Sequence, residues 1–295
     1  GLCMIVSAGM AGTLLEVHGT PEQKQRWLPG ISSGRVKFSF AITEPDAGTN
    51  SHNLRTEVRR EGDGYVLNGQ KTYVSGVEDA DAIMVVTRFR HPDGKLGKHC
   101  LCIMETGAQG YTHQPIKMPY LAAETQQTLF FDNVSIPREA LLGGEQNGMR
   151  LLFDALNPER IVAAAVATGT GLRALDKAVA YAKVRNVWGQ PIGAHQAVAH
   201  PLAKSKVELE LARLMTQKAA SLWDAGIDDA GESANMAKYA AAEAAVHAVD
   251  AAIQTHGGNG LAQEYGVSDL WWLARLFRVA PLNSEMVLNH IAQHG

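Results

Sequence analysis

The chain has 295 residues, 46% of them apolar, and its 27 Lys and Arg face 30 Asp and Glu. That length is enough for two or more units with sizeable cores, while the near balance of charge excludes a strong basic field for nucleic acid. No run is long and apolar enough to span a bilayer, no secretory signal is visible, and three cysteines cannot build a disulfide framework, which fits a reducing cytoplasm.

The chain opens at Gly1 inside an apolar stretch, LCMIVSAGMAGTLL, and reads as a piece that lacks preceding helices and a short tail. Residues 1 to about 28 are predicted to be helical, with Thr20 as cap and Pro21 as first helical residue before Glu22-Gln23-Lys24. From Val36 the pattern changes to strands. VKFSFAIT alternates, LRTEVRR follows a loop, and GDG turns into YVLNGQKTYVSG, where Asn68-Gly69 is a hairpin signal. AIMVVTRF, KHCLCIME and TLFFDNVSI continue the series between HPDG and other turns, with Cys100 and Cys102 sharing one face of a strand as packing residues. The predicted β block covers about 36 to 140.

After Gly143-Gly144 the period becomes helical. Ile161, Ala165, Thr168, Leu172, Leu175 and Val179 recur at three- or four-residue steps, as one face of a long helix would place them. Further helices are predicted from about Gln196 to Asp224, from about Ser233 to Thr255 with a stop at Gly257-Gly258, and from near Ser268 through Trp271, Trp272, Leu276 and Phe277. Four such helices make a bundle. The fold class is therefore α+β, with the end of a helical domain over 1–35, a middle β domain over 36–140 and a helical bundle over 141–295.

Four segments carry chemistry. In TEPDAGTN a strand ends at Thr43, and the loop that follows, with Pro45, Gly48 and hydroxyls, lets backbone approach a ligand closely; an ordinary turn is the plain alternative. KTYVSG presents Tyr73 and Ser75 on one face, which suits stacking on a ring and bonding its edge, or simply a half-buried strand. In RNVWGQP, Arg185 can pair with a pyrophosphate with Trp188 packed beside it, or cap a helix end. QTHGGNG is a glycine-rich helix exit. No metal is expected: His290 and His294 lack a third ligand and read as a solvated helix face, as do His195 and His200. His52, just after the loop, either reaches substrate or stays on the surface.

Together with GTPEQKQRWLPGISSG, FFDNVSIP and NPERIVAAAVATGTG, these segments occur in an order that resembles the acyl-CoA dehydrogenases over the whole chain. The resemblance implies a mostly missing N-terminal helical domain, a middle β-barrel-like domain and a C-terminal four-helix bundle. It implies FAD, touched also by a neighbouring subunit of a homodimer or homotetramer. By position, Phe40, Ile42 and Thr43 line the flavin, and Gly48 and Thr49 meet the pyrophosphate and the acyl thioester region. Tyr73 takes the place of a usual Trp, and Ser75 that of a Thr whose hydroxyl bonds flavin N5. Arg185, Trp188 and Gln196, with Gln254 and Gly258, are placed at the adenine half of a neighbour's FAD, and Asn283 and Glu285 also fall on the cofactor side.

The implied reaction is α,β-dehydrogenation of an acyl-CoA thioester, with electrons passed to an electron-transfer flavoprotein, in fatty acid β-oxidation in a bacterial cytoplasm or a mitochondrial matrix. A carboxylate must take the α proton while hydrogen bonds polarise the thioester oxygen. Many family members carry that Glu in a Glu-Gly-Thr-Ser stretch, but this chain reads RVAPLNSEM there, with Pro281 at the Glu position. A minority, the isovaleryl-CoA and long-chain type, places the Glu just before the Arg of NPER, which is Glu159 here. Asn157 as cap and Pro158 as first helical residue would put Glu159 in a first turn, where the macrodipole favours its anion, while burial against flavin and acyl chain raises its basicity. Asn157 and Arg160 then meet the CoA portion. Two alternatives keep the fold: another flavin reaction, oxidase or desulfinase-like, and a non-catalytic assembly subunit.

Overall fold

Apolar residues followed by a Thr-Pro start signal produce a helical run and a restart at the proline. The computed structural model describes residues 5–118, 124–227 and 229–294, with no description of the His294 side chain. Ile5–Gly12 has π-type turns and continues into α1 (Thr13–His18). The first run stops at Gly19, just before the expected cap at Thr20; Gly19 turns extended, and a Cβ there would lie 2.4 Å from the Leu15 carbonyl oxygen. The expected stretch before Ile5 lies outside the described residues.

The chain restarts as α2 (Pro21–Ser32), longer than expected. Thr20 Oγ1 accepts from the Gln23 backbone N–H at 3.2 Å and Gln23 Oε1 accepts from the Thr20 N–H at 2.9 Å, a reciprocal capping box. Thr20→Ala is therefore expected to cost about 1 kcal/mol, read as a lower urea midpoint at unchanged slope.

The β block forms an eight-stranded mixed sheet among the described residues. Its strands are β1 (Phe38–Ala41), β2 (Glu57–Glu61), β3 (Gly64–Ser75), β4 (Ala82–Arg90), β5 (Leu96–Glu105), β6 (Tyr111–Ile116), β7 (Gln126–Ile136) and β8 (Leu141–Leu142). They run in the order β6-β7-β3-β2-β4-β5-β8, and β1 pairs off that path with β4. The β1–β4 and β2–β4 pairings are parallel; the others are antiparallel. β1 does not show the expected alternation. All four of its residues are buried, because Ser39, the polar one, donates to the Ser75 carbonyl at 2.9 Å.

Asn68-Gly69 is not a hairpin turn. The chain reverses at Gly62-Asp63, and β3 runs straight through Asn68-Gly69 with a bulge between Leu67 and Gly69. Gly69 adopts φ 140°, and a Cβ there would meet Thr56 at 2.6 Å, so glycine serves a close strand approach. The core of this block includes Phe38, Leu67, Ile83, Met84 and Leu129, with Cys100 and Cys102 fully buried on β5.

The helical part begins with α3 (Gly148–Val184), and Pro158 lies inside it. Asn157 is thus no cap and Glu159 is not in a first turn; the expected macrodipole effect does not apply. The buried residues Leu151, Leu152 and Ala155 draw the helix on through the proline, at the loss of one backbone hydrogen bond. The buried stripe also differs in detail: Ala165 is exposed, and Ala164 and Ala167 take its place beside Ile161, Thr168 and Leu175.

RNVWGQP folds as a small hairpin, β9 (Asn186–Val187) and β10 (Gln190–Pro191), with Trp188 at φ 52° and Gly189 at φ 82° in the turn. Then come α4 (Gln196–Asp224), with the expected bounds, α5 (Ala230–His256), α6 (Asp269–Val279) and α7 (Ser284–His294). The Ala-rich face of α5 packs closely on α4. At Gly171 of α3 a Cβ would meet Leu209 at 2.5 Å and the Ala245 Cα at 3.1 Å, so small residues set these helix approaches. The chain divides into two units, residues 1–159 and 160–295. Among the described residues no helix is long and apolar enough to cross a membrane.

Candidate functional site

In the first unit, the TEPDAGT loop is held by a buried ion pair. Lys71 Nζ on β3 donates to Glu44 Oε1 at 2.9 Å and to the Ile42 carbonyl at 2.8 Å. The Glu44 carboxylate also accepts the backbone N–H groups of Arg55 at 2.7 Å and Thr56 at 2.9 Å. Lys71 is 0% and Glu44 6% exposed. Burial pushes the Glu44 carboxyl up, but the Lys71 ammonium and the hydrogen bonds from Thr56 and Arg55 outweigh it and hold the group below its usual range. Burial draws Lys71 down to about 8 against the opposing pull of Glu44.

This pair fixes the residues expected at the flavin. The Thr43 carbonyl accepts from the Thr72 N–H at 2.9 Å, and Glu44 and Ala47 exchange two backbone bonds of 3.1 Å across the turn. Phe40 is buried in β1, Ile42 and Thr43 are half-buried, and Gly48 and Thr49 are exposed at the loop tip. Tyr73 on the neighbouring β3 is 61% exposed at φ 55°, and Ser75 is half-buried two residues on. The structure thus places Thr43, just past the end of β1, against Thr72 of β3, the strand that carries Tyr73 and Ser75. Ser75 Oγ accepts from Gln126 Nε2 at 2.7 Å, so the serine proton is not spent on that amide. A hydroxyl with its proton free of that amide, two residues along the strand from an exposed aromatic ring, fits the edge and face of a heteroaromatic ring.

His52 is exposed and meets His99 edge-on at 6.1 Å, while His99 is 7% exposed and bonded to the Ser51 carbonyl at 3.1 Å. Asn157 and Glu159, near the end of this unit, are both half-buried in the interior of α3.

In the second unit three groups stand out. Arg185 is exposed just before the hairpin, and Trp188 is 90% exposed in its turn rather than packed beside it. Trp188 instead meets His195 edge-on at 6.1 Å, and His195 Nε2 is buried without a hydrogen-bond partner among the described residues. His195 is therefore not on a solvated face, unlike the exposed His200 and His290. An exposed indole, an orphaned ring nitrogen and the exposed Gln196 at the start of α4 fit a planar polar base such as adenine.

The glycine-rich exit is ordered by rings. Tyr181 stacks on His256 at 4.4 Å, and its hydroxyl accepts from Asn259 Nδ2 at 3.0 Å, leaving Gln254 and Gly258 exposed. No atom lies within 4 Å of a Cβ placed on Gly258.

The third group surrounds the segment with Pro281. Lys238 of α5 is 1% exposed and donates to the Leu282 carbonyl. Burial, and next to it Arg160, pull Lys238 down while Glu243 and Glu285 pull it up, with a result of about 8. Asn283 caps α7 by accepting from the Met286 N–H at 2.8 Å, and Glu285 is exposed in the first turn. Arg160 is buried, at 8% exposure. Among the described residues no group of three or more His, Cys, Asp or Glu is placed to hold a metal.

Sequence reasoning passed over Glu44, Lys71, Gln126 and Lys238. Glu44 stands in the TEPDAGT loop and Lys71 in KTYVSG, where a single lysine in an otherwise apolar and hydroxylic strand segment is the available signal.

Two family models match the chain: "Acyl-CoA dehydrogenase, middle domain" over residues 39–134 and "Acyl-CoA dehydrogenase, C-terminal domain" over residues 146–295. The acyl-CoA dehydrogenase fadE12 of Mycobacterium tuberculosis is 51% identical over 99% of this chain and 76% of its own length. A glutaryl-CoA dehydrogenase solved with glutaryl-CoA superposes with a TM-score of 0.94 at 29% identity, over 99% of this chain and 74% of that one. A glutaryl-CoA dehydrogenase from Mycobacterium smegmatis in complex with FADH2 superposes with a TM-score of 0.90 at 25% identity, over 98% and 73% of the two chains.

Proposed function

The chain belongs to the acyl-CoA dehydrogenase family of FAD-dependent oxidoreductases, and from that premise we propose that it converts an acyl-CoA thioester to the trans-2-enoyl-CoA with Glu159 as base. FAD, when bound, supplies the acceptor for the β hydride, with an electron-transfer flavoprotein as the outlet for its electrons. The observation that carries this reading is the placement of Thr43 against β3, which bears Tyr73 and Ser75, braced by the buried Glu44–Lys71 pair.

Each residue has a task in this reading. Ile42 and Thr43 border the flavin ring, Tyr73 covers it, and Ser75 donates to N5. Gly48 and Thr49 leave room for the pyrophosphate and the thioester. Arg185, Trp188, Gln196, Gln254 and Gly258 hold the adenine half of FAD in a neighbouring subunit of a dimer or tetramer, with Asn283 and Glu285 on the same cofactor. Asn157 and Arg160 meet the CoA portion. Glu159 takes the α proton, since Pro281 has no group that can. Segments 1–35, 36–140 and 141–295 are the corresponding three domains, and fatty acid β-oxidation in the cytoplasm is the proposed setting.

Anaerobic titration of the FAD-loaded protein with butyryl-, isovaleryl-, glutaryl- and long-chain acyl-CoA tests cofactor, reaction and chain class together. Bleaching of the flavin band by at least one of them is expected. A yellow protein inert to the whole panel would overturn the reading, and oxygen uptake without an electron-transfer flavoprotein would move it to an oxidase.

A further inference from the structure

A serine hydroxyl has one proton to give and two lone pairs to receive, so its useful direction depends on what surrounds it. Ser75 ends β3, opposite Gln126 at the start of β7. The Gln126 side chain is 7% exposed, and its Nε2 donates to Ser75 Oγ at 2.7 Å. The Ser75 carbonyl is taken by Ser39 Oγ at 2.9 Å, and the next residue, Gly76, donates its N–H to the Thr125 carbonyl at 3.1 Å. Both sides of the serine backbone are therefore fixed.

The segment that carries Gln126 is itself pinned. Glu78 accepts from Thr125 Oγ1 with one oxygen and from Gln127 Nε2 at 2.8 Å with the other, and Gln127 is fully buried. Gln126 Nε2 thus reaches Ser75 from a strand end with little freedom. An amide nitrogen only donates, so it fills one serine lone pair and leaves the O–H to point elsewhere. A carboxylate at the same place would do the reverse and capture the serine proton.

We propose that Gln126 is a positioning residue that orients the Ser75 hydroxyl as a hydrogen-bond donor to the isoalloxazine N5. The inference rests on the reading above that Ser75 faces N5, and the two can be tested apart. In this role Gln126 acts through the serine rotor, by its bond to Ser75 Oγ.

The test uses protein loaded with FAD labelled with 15N at N5, in the oxidised state and without substrate. A hydrogen bond to a pyridine-type nitrogen moves its 15N resonance upfield, so loss of the bond moves it back toward the value found in an aprotic solvent. Ser75→Ala is expected to produce that downfield shift, and Gln126→Glu is expected to reproduce it with Ser75 still present. In the Ser75→Ala background, Gln126→Glu is expected to add nothing further.

A wild-type N5 resonance in Ser75→Ala would remove the premise that Ser75 faces N5. A shift in Ser75→Ala with none in Gln126→Glu would overturn the role of Gln126 alone. Should the buried glutamate prevent folding, Gln126→Met serves instead: it frees the serine rotor, so a partial shift in the same direction is expected and an unmoved resonance overturns the proposal.

Discussion

Glu159→Gln is expected to keep FAD and bind acyl-CoA yet fail to bleach the flavin anaerobically, its reductive half-reaction slowing by about 10²- to 10⁴-fold. The substitution keeps the shape of the side chain and removes its ability to accept a proton. The surroundings give the carboxylate a reason to be there. Glu159 lies in line with Ala155 and Ala163 on α3, both buried, so the stripe that carries it turns inward and its flanking residues are small. It lies inside the helix, away from the positive end that would favour the anion and reduce its basicity. Arg160 follows directly and is buried, which suits a group that holds the phosphate-bearing part of a CoA ligand. Stopped-flow absorbance at the flavin band reads the effect, with Glu105→Gln, a change at an exposed carboxylate paired only with Arg26 among the described residues, as the control expected to bleach at the wild-type rate. Wild-type bleaching in Glu159→Gln would move the base to another residue.

Much of this was legible in the sequence because local signals and tertiary demands agreed. The bounds of α4, the cap at Thr20 and the stop of α5 at Gly257 follow from caps, glycines and periodicity that act over a few residues. The errors came where a distant contact overrode a local signal. Asn-Pro before Glu159 reads as a helix start, yet buried residues on both sides of the proline carry α3 through it. Asn68-Gly69 reads as a turn, yet Thr56 from the neighbouring strand needs the glycine as a bulge. The site divides in the same way. Thr43, Tyr73 and Ser75 lie in short motifs, but the residues that hold them are far away in sequence. Glu44 and Lys71 are separated by 27 positions and Ser75 and Gln126 by 51, and nothing in either segment names its partner before the sheet is built.

Lys71→Met is expected to lower stability by about 3–5 kcal/mol, because it leaves the Glu44 carboxylate buried without its counter-ion. The damage should be local as well as global, since the same ammonium holds the Ile42 carbonyl and so the edge of the TEPDAGT loop, which we propose borders the flavin. FAD content after desalting is therefore expected to fall along with the denaturation midpoint. The double change Glu44→Gln with Lys71→Met is expected to recover part of the stability, because the amide oxygen can still accept from one of the Arg55 and Thr56 N–H groups and no charge is left to desolvate. FAD retention should recover less, as Ile42 still lacks its donor. The pH dependence follows from the two shifts. Glu44, held below its usual range, contributes stability above the ordinary carboxylate pKa that is lost as pH falls through its folded value. Lys71 has a folded value of about 8, below its ordinary 10.5. The folded state then binds fewer protons than the unfolded chain between those values, so the cost of burying the ammonium is relieved as pH rises across that window. Stability and FAD retention should accordingly part company there in the wild-type protein. The buried charge is relieved above about pH 8, but the neutral amine no longer pairs with Glu44 and is a weaker donor to Ile42. In Lys71→Met both curves are expected to run parallel through that range. Melting temperature and bound FAD, measured from pH 7 to 10 on both proteins, check this; a wild-type pair that stays parallel would mean that the hold of Lys71 on the TEPDAGT loop has no part in retaining FAD.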